Sequence, residues 1–280
     1  MRILLTGANG MLGTDLADRL GREHDCTGVD IGDFDITDRD AVFKYVRDFK
    51  PEMLIHPAAF TDVDGCETQS ERAYLINARG TENLAAVCGE LSVPILYFST
   101  DYVFDGEKGS PYSEDDEPNP RSVYGKTKLE GENFIKRRTE KYFIVRIQSL
   151  YGKNGKNFVS TILRAAREKG ALTVVNDQWS SPTYTKDVCG AVSELIKTID
   201  YGTYHITNSG ITTWYEFTEE ILKQAGLTGV VLTPCAAEDY PRPAKRPRYS
   251  PLHNGRWAAA GREPLRPYTE ALSDYLREIL

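Results

Sequence analysis

A doubly wound, mainly parallel α/β sheet with a smaller α/β lobe is the fold class this sequence predicts. Three observations carry that prediction. Short apolar runs alternate with longer amphipathic segments across the first half, as successive βαβ units require. A glycine-rich turn joins the first run to the segment after it. The alternation loosens near residue 150, and 280 residues suit one large α/β domain or a domain with an added lobe.

The elements follow in order. Ile3 to Thr6 reads as a buried strand and Leu12 to Leu20 as the helix after it. Cys26 to Asp30 is a second strand, Asp38 to Phe49 a second helix, and Met53 to Ile55 a third strand. Ala73 to Leu91 reads as one long helix, followed by a strand from Val93 to Ser99. Tyr124 to Arg138 is a helix and Tyr142 to Ile147 a strand. Beyond them Asn157 to Lys169, Lys186 to Thr198, Trp214 to Gln224 and Tyr268 to Ile279 read as helices. A stiff, basic loop runs from Pro234 to Pro251, with Arg242, Lys245, Arg246 and Arg248 among its prolines. The expected division is a nucleotide-binding domain over 1–150 and a smaller lobe over 151–280, with 183–198 packing back on the first.

Composition narrows the class. The formal net charge is −7, which disfavours broad attraction to nucleic acid or an anionic membrane. Five cysteines without a CxxC pair suit a reducing compartment. The chain enters its first strand at once, with no leader-like apolar segment and no span-length apolar stretch, so the cytoplasm is the expected location.

Gly7-Ala8-Asn9-Gly10-Met11-Leu12-Gly13 follows a strand and opens a helix. Glycine permits the tight turn and lets backbone N–H groups approach a pyrophosphate at a helix N-terminus. This placement predicts a Rossmann-type dinucleotide site. Asp30 ends the second strand, where an acid binds a ribose 2′-hydroxyl and repels a 2′-phosphate. It reads equally as a solvated acid, because Asp33, Asp35 and Asp38 share its loop.

Tyr124 and Lys128 lie four residues apart, on one face of a helix. An ammonium near a phenol lowers its pKa, and the phenol can hand a proton to a substrate oxygen as hydride reaches carbon. Such a pair arises by chance about once in a chain of this composition. Its place after the fourth strand, near the strand carboxyl ends, gives it weight. Ser99-Thr100-Asp101-Tyr102 closes that strand, and a hydroxyl there can hydrogen-bond a carbonyl beside Tyr124.

Together these residues resemble the extended short-chain dehydrogenase/reductase superfamily, and within it the dTDP-4-dehydrorhamnose reductases. The resemblance runs over nearly the whole chain. It is carried by 1–13, Ala58-Ala59-Phe60-Thr61-Asp62-Val63-Asp64, 99–106, Pro111-Tyr112-Ser113-Glu114 and 124–132. In the second half Asp177-Gln178, Ser181-Pro182-Thr183, Trp214-Tyr215-Glu216-Phe217 and Arg246-Pro247 continue it. The resemblance implies catalysis by Thr100, Tyr124 and Lys128. It implies NADH or NADPH held by Gly7, Asn9, Gly10, Met11, Leu12, Gly13, Asp30, Asp35, Ile36, Ala58 and Ala59, together with Tyr124 and Lys128. It implies a dTDP-linked 4-keto-6-deoxy sugar held by Thr61, Val63, Thr100, Asp101, Tyr102, Gln178 and Arg246. The implied reaction reduces dTDP-6-deoxy-L-lyxo-4-hexulose to dTDP-L-rhamnose. Arg246 suits a diphosphate because a guanidinium forks onto phosphate oxygens; on charge alone it reads as well as a solvated loop cation.

The sequence departs from the family at two places. Ser149 stands where a tryptophan is common, with Trp179 and Tyr151 as the aromatic residues that could replace it, and Ser180 replaces a common glycine. Some members form a metal-bridged dimer on acidic residues. Asp15 stands where one such acid is expected but the others have no placeable counterpart, so no metal is expected and a homodimer stays open. Two further readings compete. One is a reductase or epimerase for another nucleotide-linked ketosugar; a 4,6-dehydratase is disfavoured because Tyr102, not Glu, follows Asp101. The other is a regulatory subunit of the same fold, disfavoured by the intact Thr100, Tyr124 and Lys128.

Overall fold

The computed structural model describes residues 1–280. β1 (Arg2–Thr6) leads through the glycine turn into α1 (Met11–Gly21), followed by β2 (Asp25–Val29), α2 (Arg39–Phe49) and β3 (Met53–His56). α3 (Val63–Thr68), α4 (Ser70–Tyr74), a π-helical stretch (Leu75–Gly80) and α5 (Thr81–Leu91) precede β4 (Ile95–Thr100). α6 (Val123–Arg138) and β5 (Tyr142–Ile147) come next. The rest holds β6 (Leu150–Tyr151), α7 (Phe158–Lys169), β7 (Ala171–Val175), β8 (Trp179–Ser180), β9 (Thr183–Tyr184) and α8 (Thr185–Leu195). It ends with β10 (Gly202–His205), β11 (Thr212–Thr213), α9 (Trp214–Gln224), β12 (Val231–Cys235), α10 (Gly255–Ala259) and α11 (Tyr268–Ile279).

Six parallel strands form the main sheet in the order β10-β5-β4-β3-β1-β2. Side chains alternate across a strand, so each strand feeds two cores. Ile3, Leu5, Leu96, Phe98, Phe143 and Val145 face α1 and α8. Leu4, Leu54, Ile95, Tyr97 and Ile144 face α2, α5 and α6. The expected doubly wound sheet is therefore present. The chain passes from β1 to β2 on one side and through β3 to β10 on the other, and the switch point lies between β1 and β3. Ligand crevices open at the strand carboxyl ends beside such a point.

α8 lies on α1, β10 forms a sheet edge, and Trp257 of α10 completes the same core. α7, α9 and α11 pack on one another around Val159, Phe217, Ile221 and Leu272, beside the parallel pair β7–β12. One element differs from expectation. The single helix expected over Ala73–Leu91 begins earlier and contains the π-helical stretch. There Asn77 turns inward: its Nδ2 donates to the Phe60 carbonyl and Thr127 Oγ1, and its Oδ1 accepts from Phe60 N.

A buried ion pair locks α6 to the sheet. Arg146 of β5 donates from Nε and Nη2 to the two Glu132 oxygens at 2.9 and 2.7 Å, with both side chains almost fully enclosed. The five cysteines are unpaired, and no helix is long and apolar enough to cross a membrane.

Candidate active site

A cleft of about 740 Å³ opens over the switch point. The glycine turn forms one end of it. Gly7 adopts φ +62°, and a Cβ there would lie 2.7 Å from the Ala58 Cα; a Cβ on Gly13 would lie 2.0 Å from the Gly7 carbonyl oxygen. Only glycine fits either position, which brings β1, α1 and the segment after β3 into contact. Gly10 then precedes α1 with no side-chain cap on the first helical N–H groups, leaving them free for an anion.

Asp30 lies on the cleft wall at the end of β2. Its Oδ2 accepts from Asn9 N at 3.0 Å and its Oδ1 from Ile31 N at 2.9 Å. The carboxylate is thus anchored to the glycine turn and is not a freely solvated loop acid. Asn9, Met11, Leu12, Asp35, Ile36, Ala58 and Ala59 line the same cleft. A backbone cradle, an anchored acid and an apolar wall fit a dinucleotide.

At the other end Ser122 Oγ accepts from Gly125 N at 3.1 Å and Glu67 accepts from Val123 N at 2.8 Å. These bonds fix the start of α6 and so place Tyr124 in its first turn. Tyr124 packs edge-on against Tyr102, with ring centroids 5.7 Å apart. Thr100, Asp101, Lys128, Thr61 and Val63 complete this wall. Thr100 Oγ1 donates to Asp101 Oδ1 at 3.1 Å and accepts from Tyr102 N at 3.1 Å.

The electrostatics differ from the sequence expectation in one respect. Lys128 Nζ lies over the Tyr97 ring, 4.1 Å from its centroid. Burial, then the Asp101 charge, pushes the Tyr124 phenol above its ordinary range, while the Thr100 hydroxyl pulls the other way. The phenol is held protonated rather than driven toward phenolate. Burial draws Lys128 down to about 7, with Glu132 opposing, and lifts Asp101 to about 6 against hydrogen bonds from Ser250, Gln148 and Thr100.

Two expected site residues do not line the cleft. Arg246 donates from Nη1 and Nη2 to the two Asp64 oxygens at 3.0 Å each. Gln178 lies between β7 and β8, away from the cleft wall. Neither aromatic substitute for Ser149 reaches the cleft: Tyr151 stacks on Tyr184 in the core around α7, α9 and α11, and Trp179 lies against Tyr249. Ser149 itself lines the cleft at φ +45°. Asp15 is enclosed, accepting from Asn154 Nδ2 at 2.8 Å and from the Thr185 hydroxyl. Sequence reasoning missed Gln148, Phe34, Ile76 and Lys156 on the cleft wall. Only the polar pair carried a signal, as polar residues beside a strand end and beside a glycine.

The sheet, the glycine turn at its switch point and the Tyr-x-x-x-Lys helix define a Rossmann-type protein of the extended short-chain dehydrogenase/reductase kind. More narrowly, the chain belongs to the RmlD substrate binding domain family, whose model matches residues 1–280. The spore coat polysaccharide biosynthesis protein SpsK of Bacillus subtilis strain 168 is 39% identical over 278 residues, covering 99% of this chain and 97% of its own. The crystal structure of a dTDP-4-dehydrorhamnose reductase from Clostridium acetobutylicum ATCC 824 matches with a TM-score of 0.97 at 45% identity, covering 100% of this chain and 99% of that one. The dTDP-4-dehydrorhamnose reductase of Bacillus anthracis strain Ames, solved in complex with NADP, matches with a TM-score of 0.96 at 38% identity and 99% coverage of each chain.

Proposed function

We propose that this chain uses NADH or NADPH to reduce the 4-keto group of dTDP-6-deoxy-L-lyxo-4-hexulose, yielding dTDP-L-rhamnose. The observation that carries the proposal is the full-length match to the Clostridium and Bacillus anthracis reductases, joined to Thr100, Tyr124 and Lys128 on one wall of one cleft.

A bound reduced nicotinamide supplies the hydride. The chain's own residues supply the rest. Tyr124, protonated in its enclosed setting, donates the phenolic proton to the sugar oxygen as negative charge develops there. Thr100 orients that oxygen by turning its hydroxyl proton, given to Asp101 in the structure, onto the sugar carbonyl. Lys128 brings a cation to the same wall. Gly7, Asn9, Gly10, Met11, Leu12 and Gly13 cradle the dinucleotide phosphates; Asp30, Asp35 and Ile36 take the adenosine end, and Ala58 and Ala59 the floor. Thr61, Val63, Asp101 and Tyr102 face the sugar. Arg246, beside Tyr102, would grip the sugar diphosphate by exchanging Asp64 for phosphate oxygens.

We further read the chain as a nucleotide-binding lobe of 1–150 with α8, β10 and α10 added, and a sugar-nucleotide lobe from the remainder, acting in the cytoplasm. Ser149 favours one second reading, a different nucleotide-linked ketosugar, because the cleft wall there carries a hydroxyl where the family commonly has an indole.

The test is oxidation of NADH and of NADPH by purified protein supplied with enzymatically generated dTDP-6-deoxy-L-lyxo-4-hexulose. Sugar-dependent oxidation with formation of dTDP-rhamnose is expected. Tight cofactor binding without oxidation would overturn the sugar assignment and favour the second reading.

A further inference from the structure

The cleft wall carries two lysines and no arginine, against the carboxylates of Asp30, Asp35 and Asp101. Lys128 is committed to the Tyr97 face. Lys156 has no part in the reaction above. It ends the turn Lys153–Lys156, which joins β6 to α7 and is clamped onto the first turns of α1, the helix that the glycine turn opens.

Two contacts make the clamp. A Cβ on Gly155 would lie 2.8 Å from the Met11 Cβ, so the turn touches the first residue of α1. Asn154 Nδ2 donates to Asp15 Oδ1 at 2.8 Å, four residues further along that helix. Asn157 fixes the far end of the turn, donating to the Gly152 and Gly155 carbonyls at 2.7 and 3.1 Å. Lys153 lies 3.9 Å from Glu278, whereas Lys156 is exposed at the cleft mouth with no carboxylate partner.

We propose that Lys156 binds the dinucleotide pyrophosphate, reaching across the open N-terminus of α1 from the second lobe. This rests on the dinucleotide reading given above. The glycine turn offers only backbone N–H groups and the partial charge of one helix end, and the neighbouring carboxylates oppose a dianion. A flexible ammonium supplies the missing charge.

Calorimetric titration of NADH, NADPH and dTDP into wild type, Lys156→Ala and Lys156→Arg tests the proposal. Lys156→Ala is expected to weaken NADH and NADPH by the same factor, about 5- to 20-fold, and to flatten the salt dependence of both. Lys156→Arg should stay near wild type, and dTDP should be unaffected. Unchanged dinucleotide affinities in Lys156→Ala would overturn the proposal. Loss confined to NADPH would move Lys156 to the 2′-phosphate, and loss confined to dTDP would move it to the sugar nucleotide; either result overturns the pyrophosphate assignment. Wild type that binds neither dinucleotide would instead sink the cofactor reading itself.

Discussion

Gln148 Nε2 donates to Asp101 Oδ2 at 2.9 Å, and both residues line the cleft. Ser250 Oγ donates to the same oxygen at 2.7 Å, and Gln148 Oε1 accepts from Ser181 N at 2.8 Å. The end of β4, the residue after β5, the Ser181 loop and the end of the basic loop therefore meet at one buried carboxylate, which in turn holds Thr100. Gln148→Leu removes a donor from that carboxylate and leaves Ser181 N unpaired. The expected result is a loss of about 1–3 kcal/mol in urea unfolding and about a tenfold drop in kcat/KM. NADH affinity, measured separately by titration, should not change. Unaltered kinetics would show that Thr100 does not depend on this network.

Tyr124→Phe keeps the ring against Tyr102 and removes the proton donor. A fall in kcat of about 10²-fold or more is expected, with dinucleotide affinity nearly intact. Wild-type turnover in this variant would remove Tyr124 from the chemistry.

The pH profile separates Tyr124 from Lys128. Lys128 is drawn down to about 7 and Tyr124 is pushed up from its ordinary range. If the ammonium is the required form, kcat/KM falls as pH rises through about 7, while the phenol stays protonated across that interval. A flat profile over the same interval would exclude a role for the Lys128 charge.

In the proposed cofactor site Asp30 is the residue expected to set the cofactor ratio. Its carboxylate, anchored by Asn9 N and Ile31 N, would oppose a 2′-phosphate by like charge. Asp30→Asn should raise NADPH affinity relative to NADH by about 3- to 10-fold, read by titration of each cofactor. An unchanged ratio would place the 2′-position elsewhere.

Stability also rests on enclosed polar groups: the Glu132–Arg146 pair and the imidazoles of His56 and His205. Glu132→Gln leaves Arg146 charged without its carboxylate, and a loss of about 3–5 kcal/mol in chemical unfolding is expected. His56 and His205 are both drawn down to about 3, chiefly by burial, and next by Lys128 and Arg146 respectively. Each imidazole binds its proton more readily when unfolded, so stability falls as pH drops from about 6.5 toward 3, with a slope of up to about two protons. His56→Gln should reduce that slope; an unchanged slope would assign the acid transition to carboxylates alone.

β1, β3, β4 and β5 were legible because strands covered on both faces read as largely apolar runs, as Ile3-Leu4-Leu5 does; the edge strand β2, Asp-Cys-Thr-Gly-Val, was placed by the strand–helix alternation around it. β10 was not. Its Gly-Thr-Tyr-His sequence hides His205, whose Nδ1 pairs with the Tyr112 carbonyl at 3.1 Å and whose N donates to Glu114. The two-residue strands β6, β8, β9 and β11 are too short to show a period. In the site, the glycine turn and the Tyr124–Lys128 spacing are local and could be read directly. Gln148 and Ser250 are 102 residues apart, and their partnership exists only in the folded chain. Arg246 illustrates the converse: its charge was visible, but its pairing with Asp64 across 182 residues was not.

Because the sixth strand is made last among those of the sheet, the order of synthesis matters. A nascent chain that has emerged only through β5 leaves the six-residue β5 as an open edge, where β10 later pairs, and lacks α8, which packs on α1 in the finished core. When residues up to His205 leave the ribosome α8 covers α1, and the four-residue β10 replaces β5 as the edge. Growth from the N-terminus therefore passes through a stage that can pair with other chains, and a gene truncated after β5 should yield an aggregate in place of a free-standing dinucleotide module.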